Sequence, residues 1–277
     1  MQERAGRAAV CLALSLVCAC GAGSPAYRPP RLERAELTDA GAIRRDALVA
    51  WTRAPGADFR QTLTIAIRDG ISGRGFEGRG VVVVRPGAAL RMILLGPGGT
   101  TAMDVWMREG KWRVSIPALD RVVRGDAQTP PEKMRGLPIG LLSRWLVSPF
   151  GGALIAAHEG RVAPDGHVAI DATVGPAGAR SFVAFVKHDG TFEARVREVT
   201  PSTITARAWW FDHGKLDAWL VGEERALDTT KTAPIVPIVA HYVSLDPPMR
   251  VDVVAADTTT VAPGALPPST FADPDAP

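Results

Sequence analysis

From Phe59 onward the chain alternates apolar and polar residues with a period of two. In "FRQTLTIAI", Phe59, Leu63, Ile65 and Ile67 share one side with Gln61, and Arg60, Thr62, Thr64 and Ala66 take the other. The pattern repeats in "FEGRGVVVVR" (76–85), "ALRMILLG" (89–96), "TTAMDVWMR" (100–108) and "KWRVSIP" (111–117). "RPG", "PGG" and "EG" punctuate these runs, and each is turn chemistry between strands. "ALDRVVRG" (118–125) reads as a short connection. Four more strands are predicted at 167–174, 181–188, 191–199 and 203–211. After a less regular stretch holding "KLDAWLVGEE", two last strands fall at 237–245 and 250–257. That is about eleven or twelve strands in a strand–turn–strand meander, which favours a strongly curved up-and-down antiparallel sheet.

Two segments depart from this period. In "TDAGAIRRDALVAWTRA" (38–54), Ala42, Ile43, Leu48, Val49 and Trp51 recur at helical spacing, with Asp39 as a cap and Pro55-Gly56 as a stop. In "TPPEKMRGLPIGLLSRWLVSPFGG" (129–152), Leu137, Leu141, Leu142, Trp145 and Leu146 form an apolar helical stripe that Gly136 and Pro138 divide. This is the helical insertion of a β-rich chain.

The strand pattern leaves too much apolar surface for a two-sided sheet in water. One face collects Phe76, Val82, Val84, Leu90, Met92, Leu94, Met103, Val105, Met107, Trp112, Val114 and Ile116. Later strands add Val168, Ile170, Phe182, Ala184, Val186, Phe192, Ala194 and Val196, and Gly78 and Gly80 leave space among them. Either a filled core or a lipid-sized cavity satisfies this pattern. The second face holds Val81, Val83, Ile93 and Leu95 beside Arg79, Arg85 and Arg91, and the helix around Ala42 and Trp51 is expected to cover part of it. Asp104 is in phase with Trp106. Facing a cavity it would need an arginine partner, so both residues are expected to point outward.

Composition fits a globular domain with a substantial core: 277 residues, 46% hydrophobic and 22% charged. The net charge of +3 arises from interspersed residues with no basic block, which excludes a nucleic-acid footprint. No nucleophile elbow, phosphate loop, dinucleotide fingerprint or zincin motif occurs, and the five histidines (158, 167, 188, 213, 241) are scattered. The sequence therefore points to a non-enzymatic protein with no cofactor and no metal centre.

All three cysteines, Cys11, Cys18 and Cys20, lie in the first twenty residues, so the body can form no disulfide. Arg4 and Arg7 precede an apolar run at 8–17, too short for the ~20 residues of a membrane-spanning helix. The following Val17-Cys18-Ala19-Cys20 resembles a bacterial lipobox, with Cys18 as a departure in its second place. The resemblance implies a signal peptide over 1–19 and a mature chain beginning at Cys20, whose thiol takes diacylglycerol and whose amine takes an acyl chain such as palmitate. With about three acyl chains, the anchor exceeds the two signals that stable membrane attachment requires. A plain signal peptide cut after Ala19 or Ala22 is the alternative. Gly21 rather than Asp after the cysteine implies the periplasmic face of the outer membrane. Residues 20–36, small and Pro-rich, read as a flexible tether.

The marks Arg85-Pro86-Gly87, Leu90-Arg91, Gly96-Pro97-Gly98, Glu109-Gly110 and Pro117, in this order, resemble the centre of the LolA/LolB-like lipoprotein-localisation superfamily. The helical insertion and the closing "ALPPSTF" extend the similarity over residues 40–271. The resemblance implies a half-barrel of about eleven antiparallel strands over 37–271 with helices packed on its concave side. It also implies that acyl chains of lipids or lipoproteins bind among the apolar residues of that side, with Leu137, Leu141, Leu142 and Trp145 as the lid. The expected partners are lipid or lipoprotein acyl chains, the membrane through the anchor, and an envelope protein. A scaffold using the same fold as a protein-binding surface is the alternative. The anchored members' protruding apolar loop has no clear counterpart; the turn after Leu94 and Leu95 comes nearest. Leu266 and Phe271 are expected to dock on the body, and residues 272–277 to be disordered.

Overall fold

A computed structural model of the chain describes residues 58–147, 167–174, 180–188, 191–200, 203–226, 235–262 and 264–275. The expected signal peptide, lipidated Cys20, tether and N-terminal helix lie outside the described residues.

The described strands form one antiparallel sheet of thirteen. The first half runs β1 (Phe59–Asp69), β2 (Gly75–Arg85), β3 (Ala89–Leu95), β4 (Thr101–Arg108), β5 (Lys111–Ile116) and β6 (Arg121–Gly125). The second half runs β7 (His167–Val174), β8 (Arg180–His188), β9 (Thr191–Val199), β10 (Ile204–Asp212), β11 (Lys215–Ala226), β12 (Ile235–Leu245) and β13 (Pro248–Thr260). Each half is a meander in which sequence neighbours pair. The chain starts mid-sheet at β1, walks out to the edge at β6, and resumes at the opposite edge with β7. It then walks back until β13 lies against β1, with Phe59 opposite Thr260 and Ile67 opposite Val251. The sheet stays open, because β6 and β7 are its two edges and do not pair. This is the up-and-down antiparallel sheet that the alternation predicted, in the open, mainly β half-barrel form that the resemblance implied.

Two strands enlarge the expected number. β6 lies in the segment read as a connection and β11 in the segment read as irregular. Both were obscured by charge. "RVVRG" is exposed along most of its length, and "KLDAWLVGEERA" carries acidic residues that pair within the sheet. The hairpin at Glu109-Gly110 has positive φ at both residues (53° and 76°), the twist-matched two-residue turn that a terminal glycine favours. His213-Gly214 repeats it between β10 and β11 with φ of 46° and 79°.

The insertion forms α1 (Pro131–Met134), then α2 (Ile139–Leu141), which widens into a π-helical turn (Leu142–Val147). Gly136, at φ 74°, and Pro138 separate the two helices. Leu137, Ile139, Leu141, Leu142, Trp145 and Leu146 are all buried in one cluster with the concave residues of the sheet. Polar contacts fix the insertion at three places. The Gly87 N–H donates to the Val147 carbonyl at 2.6 Å, Arg135 pairs with Asp69 at 2.8 Å, and Arg144 pairs with Asp217 at 2.8 Å. The first two contacts reach the β1–β2–β3 region and the third reaches β11, so the insertion spans the trough.

Part of the convex face is covered by the C-terminal segment. Phe271, at the end of a 3-10 turn (Pro268–Phe271), is buried beneath the guanidinium of Arg85, which lies 4.7 Å from its ring centroid. The Trp106 indole N–H donates to the Phe271 carbonyl at 2.9 Å. Of the stretch expected to be disordered, Asp273 pairs with Arg124 at 2.8 Å, and Asp275 pairs with Arg113 and Arg124 at 2.7 Å each. Asp104 and Trp106 do point outward, and Asp104 sits between Arg91 (2.7 Å) and Arg113 (3.5 Å). Arg91, Arg113 and Arg124 on the second face thus meet carboxylates, and its tryptophan meets the tail.

Candidate functional site

The residues predicted to line the concave side come together. Val82, Val84, Leu90, Met92, Leu94, Met103, Val105, Trp112 and Val114 are buried in the cluster that contains Leu137, Leu141, Leu142 and Trp145, and Phe76 packs against its border. The buried side chains of the helical insertion and of this surface form one apolar cluster. Gly80 does not leave space: a Cβ there would lie 2.0 Å from the Ile93 carbonyl oxygen, so the glycine admits the neighbouring backbone.

Beside the insertion runs a cleft of about 740 Å³. Of the residues predicted for the concave side, Met107, Trp112 and Leu137 reach it. Its apolar wall also includes Met134, Ile139 and Met249, and the three methionines 107, 134 and 249 make that wall adaptable. Gly140, Ser143, Arg144 and Val147, one face of the helical segment, form another side. At Gly140 a side chain would collide with the Tyr242 hydroxyl, 2.5 Å from an added Cβ, so this glycine keeps the helix close to β12.

The far wall is polar. Arg144 binds Asp217 at 2.8 Å and lies 5.2 Å above the Trp210 ring, and it approaches the Tyr242 hydroxyl at 3.4 Å. Trp210 and Tyr242 are tilted neighbours, with ring centroids 6.0 Å apart. Burial pushes the Tyr242 phenol up, so it stays a neutral donor at physiological pH. Glu193 reaches the same cleft and is held by Arg195.

These charges mark a face that the sequence reading missed. In β9 the register places Glu193, Arg195 and Arg197 beside Trp210, Ala208 and Ala206 of β10, on the concave side. Val196, expected there with Phe192 and Ala194, instead clusters with Trp209 and Trp219 on the other face. Arg197 is 1% exposed and pairs with Glu224, 3% exposed, at 2.6 Å. Burial pulls the Arg197 guanidinium down from its ordinary value, and Glu224 opposes that pull. The signal was present as three charges at alternating positions in "TFEARVREV", but apolar residues alternate with them at the opposite parity and look like the inner face.

The turn after Leu94 and Leu95 has no protruding apolar loop. Leu94 is buried, Leu95 is 43% exposed, and the turn itself (Pro97–Gly99) is glycine-rich with positive φ at Gly98 and Gly99. His213 and His241 are exposed and sit on Asp212 and Asp252, each at 2.7 Å. Among the described residues, no three His, Cys, Asp or Glu side chains gather as metal ligands, and no helix is long and apolar enough to cross a membrane.

No protein-family model matches the chain, and no curated protein matches it. Solved structures do. A DUF1329 family protein from Desulfovibrio piger superposes with a TM-score of 0.52 at 13% identity, over 85% of this chain and 98% of that one. The open meander with its crossing helices, predicted from the sequence marks, is therefore a fold seen elsewhere. That structure shares its fold with this chain. A LolA superfamily protein from Nitrosomonas europaea (TM-score 0.47, 13% identity, 84% of this chain and 97% of that one) also aligns with it. So does a domain from Vibrio parahaemolyticus described as an outer membrane lipoprotein-sorting protein (TM-score 0.47, 12% identity, 84% and 94%). At 13% identity the likeness to the DUF1329 family protein is one of fold.

Proposed function

We propose that this chain is a lipoprotein anchored at the periplasmic face of the outer membrane through Cys20, and that it holds acyl chains of lipids or lipoproteins along the concave side of its half-barrel. Its role would be lipoprotein localisation or envelope biogenesis, without catalysis. The observation that carries this reading is the cleft beside the helical insertion. Its volume, about 740 Å³, falls in the ~300–1,000 Å³ range of small-molecule sites. One wall is apolar and methionine-rich, and the other offers Arg144, Tyr242 and Asp217 to a polar headgroup. An acyl chain entering along Met107, Trp112, Met134 and Leu137 gains ~0.8 kcal/mol for each methylene removed from water. Residues 20–36 would tether that cleft to the membrane.

The test is binding of a fluorescent fatty acid to the full chain in solution, with native mass spectrometry for co-purified lipid. Saturable uptake is expected, and Met134→Glu at the cleft is expected to weaken it about tenfold, the effect of placing a charge against an apolar wall. An absence of saturable uptake in the parent chain would overturn the reading. Cys20→Ala should move the protein from the membrane fraction to the soluble fraction. The charged wall of the cleft favours a second reading, a scaffold that binds an envelope protein there. A stable co-purifying partner with no lipid would support it.

A further inference from the structure

We propose that one rim of the half-barrel, formed by four consecutive hairpin ends, is a docking surface for anionic lipid headgroups. Eight large hydrophobic residues are exposed among the described residues. Three of them, Val81, Ile93 and Val254, lie mid-strand on the convex side. The other five sit at one end of the sheet. Ile71 (68% exposed) is in the β1–β2 turn, and Leu95 (43%) ends β3. Leu119 (67%) and Val122 (52%) flank the β5–β6 turn, and Leu245 (46%) ends β12. In an antiparallel meander alternate turns fall at the same end. Sheet order makes these hairpins neighbours: β5–β6, β3–β4, β1–β2 and β12–β13. Adjacent hairpin tips are about 10 Å apart, two inter-strand spacings. The opposite end carries none of the eight.

The charges beside these tips select the partner. Arg68 and Arg74 bracket Ile71, and Arg121 stands between Leu119 and Val122. All three are exposed, and none forms an ion pair among the described residues. Asp69, the acid nearest Ile71, is held by Arg135, which keeps its carboxyl well below the usual range and cancels its charge. Asp120 and Asp246 are the remaining acids at these turns. Aliphatic tips interleaved with uncompensated arginines match the headgroup–acyl boundary of an anionic membrane, where apolar burial and cationic attraction act together. An apolar protein groove would leave the three guanidinium groups unused. The rim also adjoins the cleft, which Asp246 and Pro247 of the β12–β13 turn help to line. A membrane at this rim would therefore face one mouth of the cleft, whatever the cleft carries.

The cysteines all precede the described body, so single-site labelling is direct. In the full chain with Cys11, Cys18 and Cys20 changed to Ser, a polarity-sensitive fluorophore is placed at Ile71→Cys or Leu119→Cys, with Glu109→Cys at the opposite end as control. On addition of phosphatidylglycerol vesicles, the labels at 71 and 119 are expected to shift to the blue and be quenched by a lipid-borne quencher. The label at 109 should do neither. Phosphatidylcholine vesicles should give a weaker response, and Arg74→Glu with Arg121→Glu should lower partitioning about tenfold or more. Equal behaviour at 71, 119 and 109, or no response to anionic vesicles, would overturn the proposal. So would burial of the rim labels by an envelope protein in the absence of vesicles. Fatty-acid uptake is measured without vesicles, so failure at the rim leaves the cleft reading intact, and the converse holds.

Discussion

Removing the Phe271 side chain is expected to release the C-terminal segment from the convex face. Phe271 is 3% exposed and is held by three kinds of contact. Its ring is buried against the sheet and lies 4.7 Å beneath the Arg85 guanidinium, and its carbonyl accepts the Trp106 indole N–H at 2.9 Å. A buried Phe→Ala substitution typically costs ~3–5 kcal/mol. The segment is terminal, so it can peel away and let water fill the gap, which limits the loss to the lower end, about 3 kcal/mol. In the Phe271→Ala protein Trp106 loses its cover. Urea unfolding should show the drop in stability, and hydrogen exchange should show faster opening along β4 and β5 than along β12 and β13. Deleting residues 268–277 should reproduce both effects, because the ring is the segment's buried anchor. A stability change below about 0.5 kcal/mol, the size of a neutral surface substitution, would refute the argument that this segment closes the convex side.

Two further expectations follow from the charges. Arg124 and neighbouring N–H groups hold the Asp273 carboxyl down at about 2, and Arg113 and Arg124 hold Asp275 below its usual range. Their attraction is therefore intact above the ordinary carboxylate value of about 4; that of Asp273 is lost as pH falls through about 2, and that of Asp275 below its ordinary range. A pH titration of Trp106 exposure should show the segment loosening only in that acid window, and release near neutral pH would contradict it. In the trough, Glu224→Ala should cost about 3–5 kcal/mol, since it strands the buried Arg197 guanidinium. The paired change Arg197→Met with Glu224→Leu should recover most of that loss in thermal unfolding, and a double variant no better than the single would argue against the coupling.

Much of the fold was legible because a sheet with one buried face writes a period of two into the sequence. β1 to β5 and β7 to β10 appear with boundaries shifted by at most a residue or two. The insertion was legible from its change of period and from Gly136 and Pro138. β6 was missed because an exposed edge strand needs no buried face, and β11 because its acids Asp217 and Glu224 pair with partners distant in sequence, Arg144 and Arg197. The cleft's apolar wall was partly foreseen in Met107, Trp112 and Leu137. Its polar wall was not, because Arg144, Asp217, Glu193 and Tyr242 come from four separate elements.

The sequence by itself determined most of the strands, the alternation of their faces, the place of the helical insertion and the absence of cysteine from the body. These are local properties, set by neighbours two to four residues away. Tertiary structure decided which face is the inner one in β9, where parity alone favoured the apolar residues and sheet pairing turned Arg195 and Arg197 inward. It also decided what covers the convex side, a choice made by Phe271 from 165 positions beyond Trp106. Long-range choices of this kind depend on which surfaces remain unpaired once the sheet has curved, and no local pattern records that.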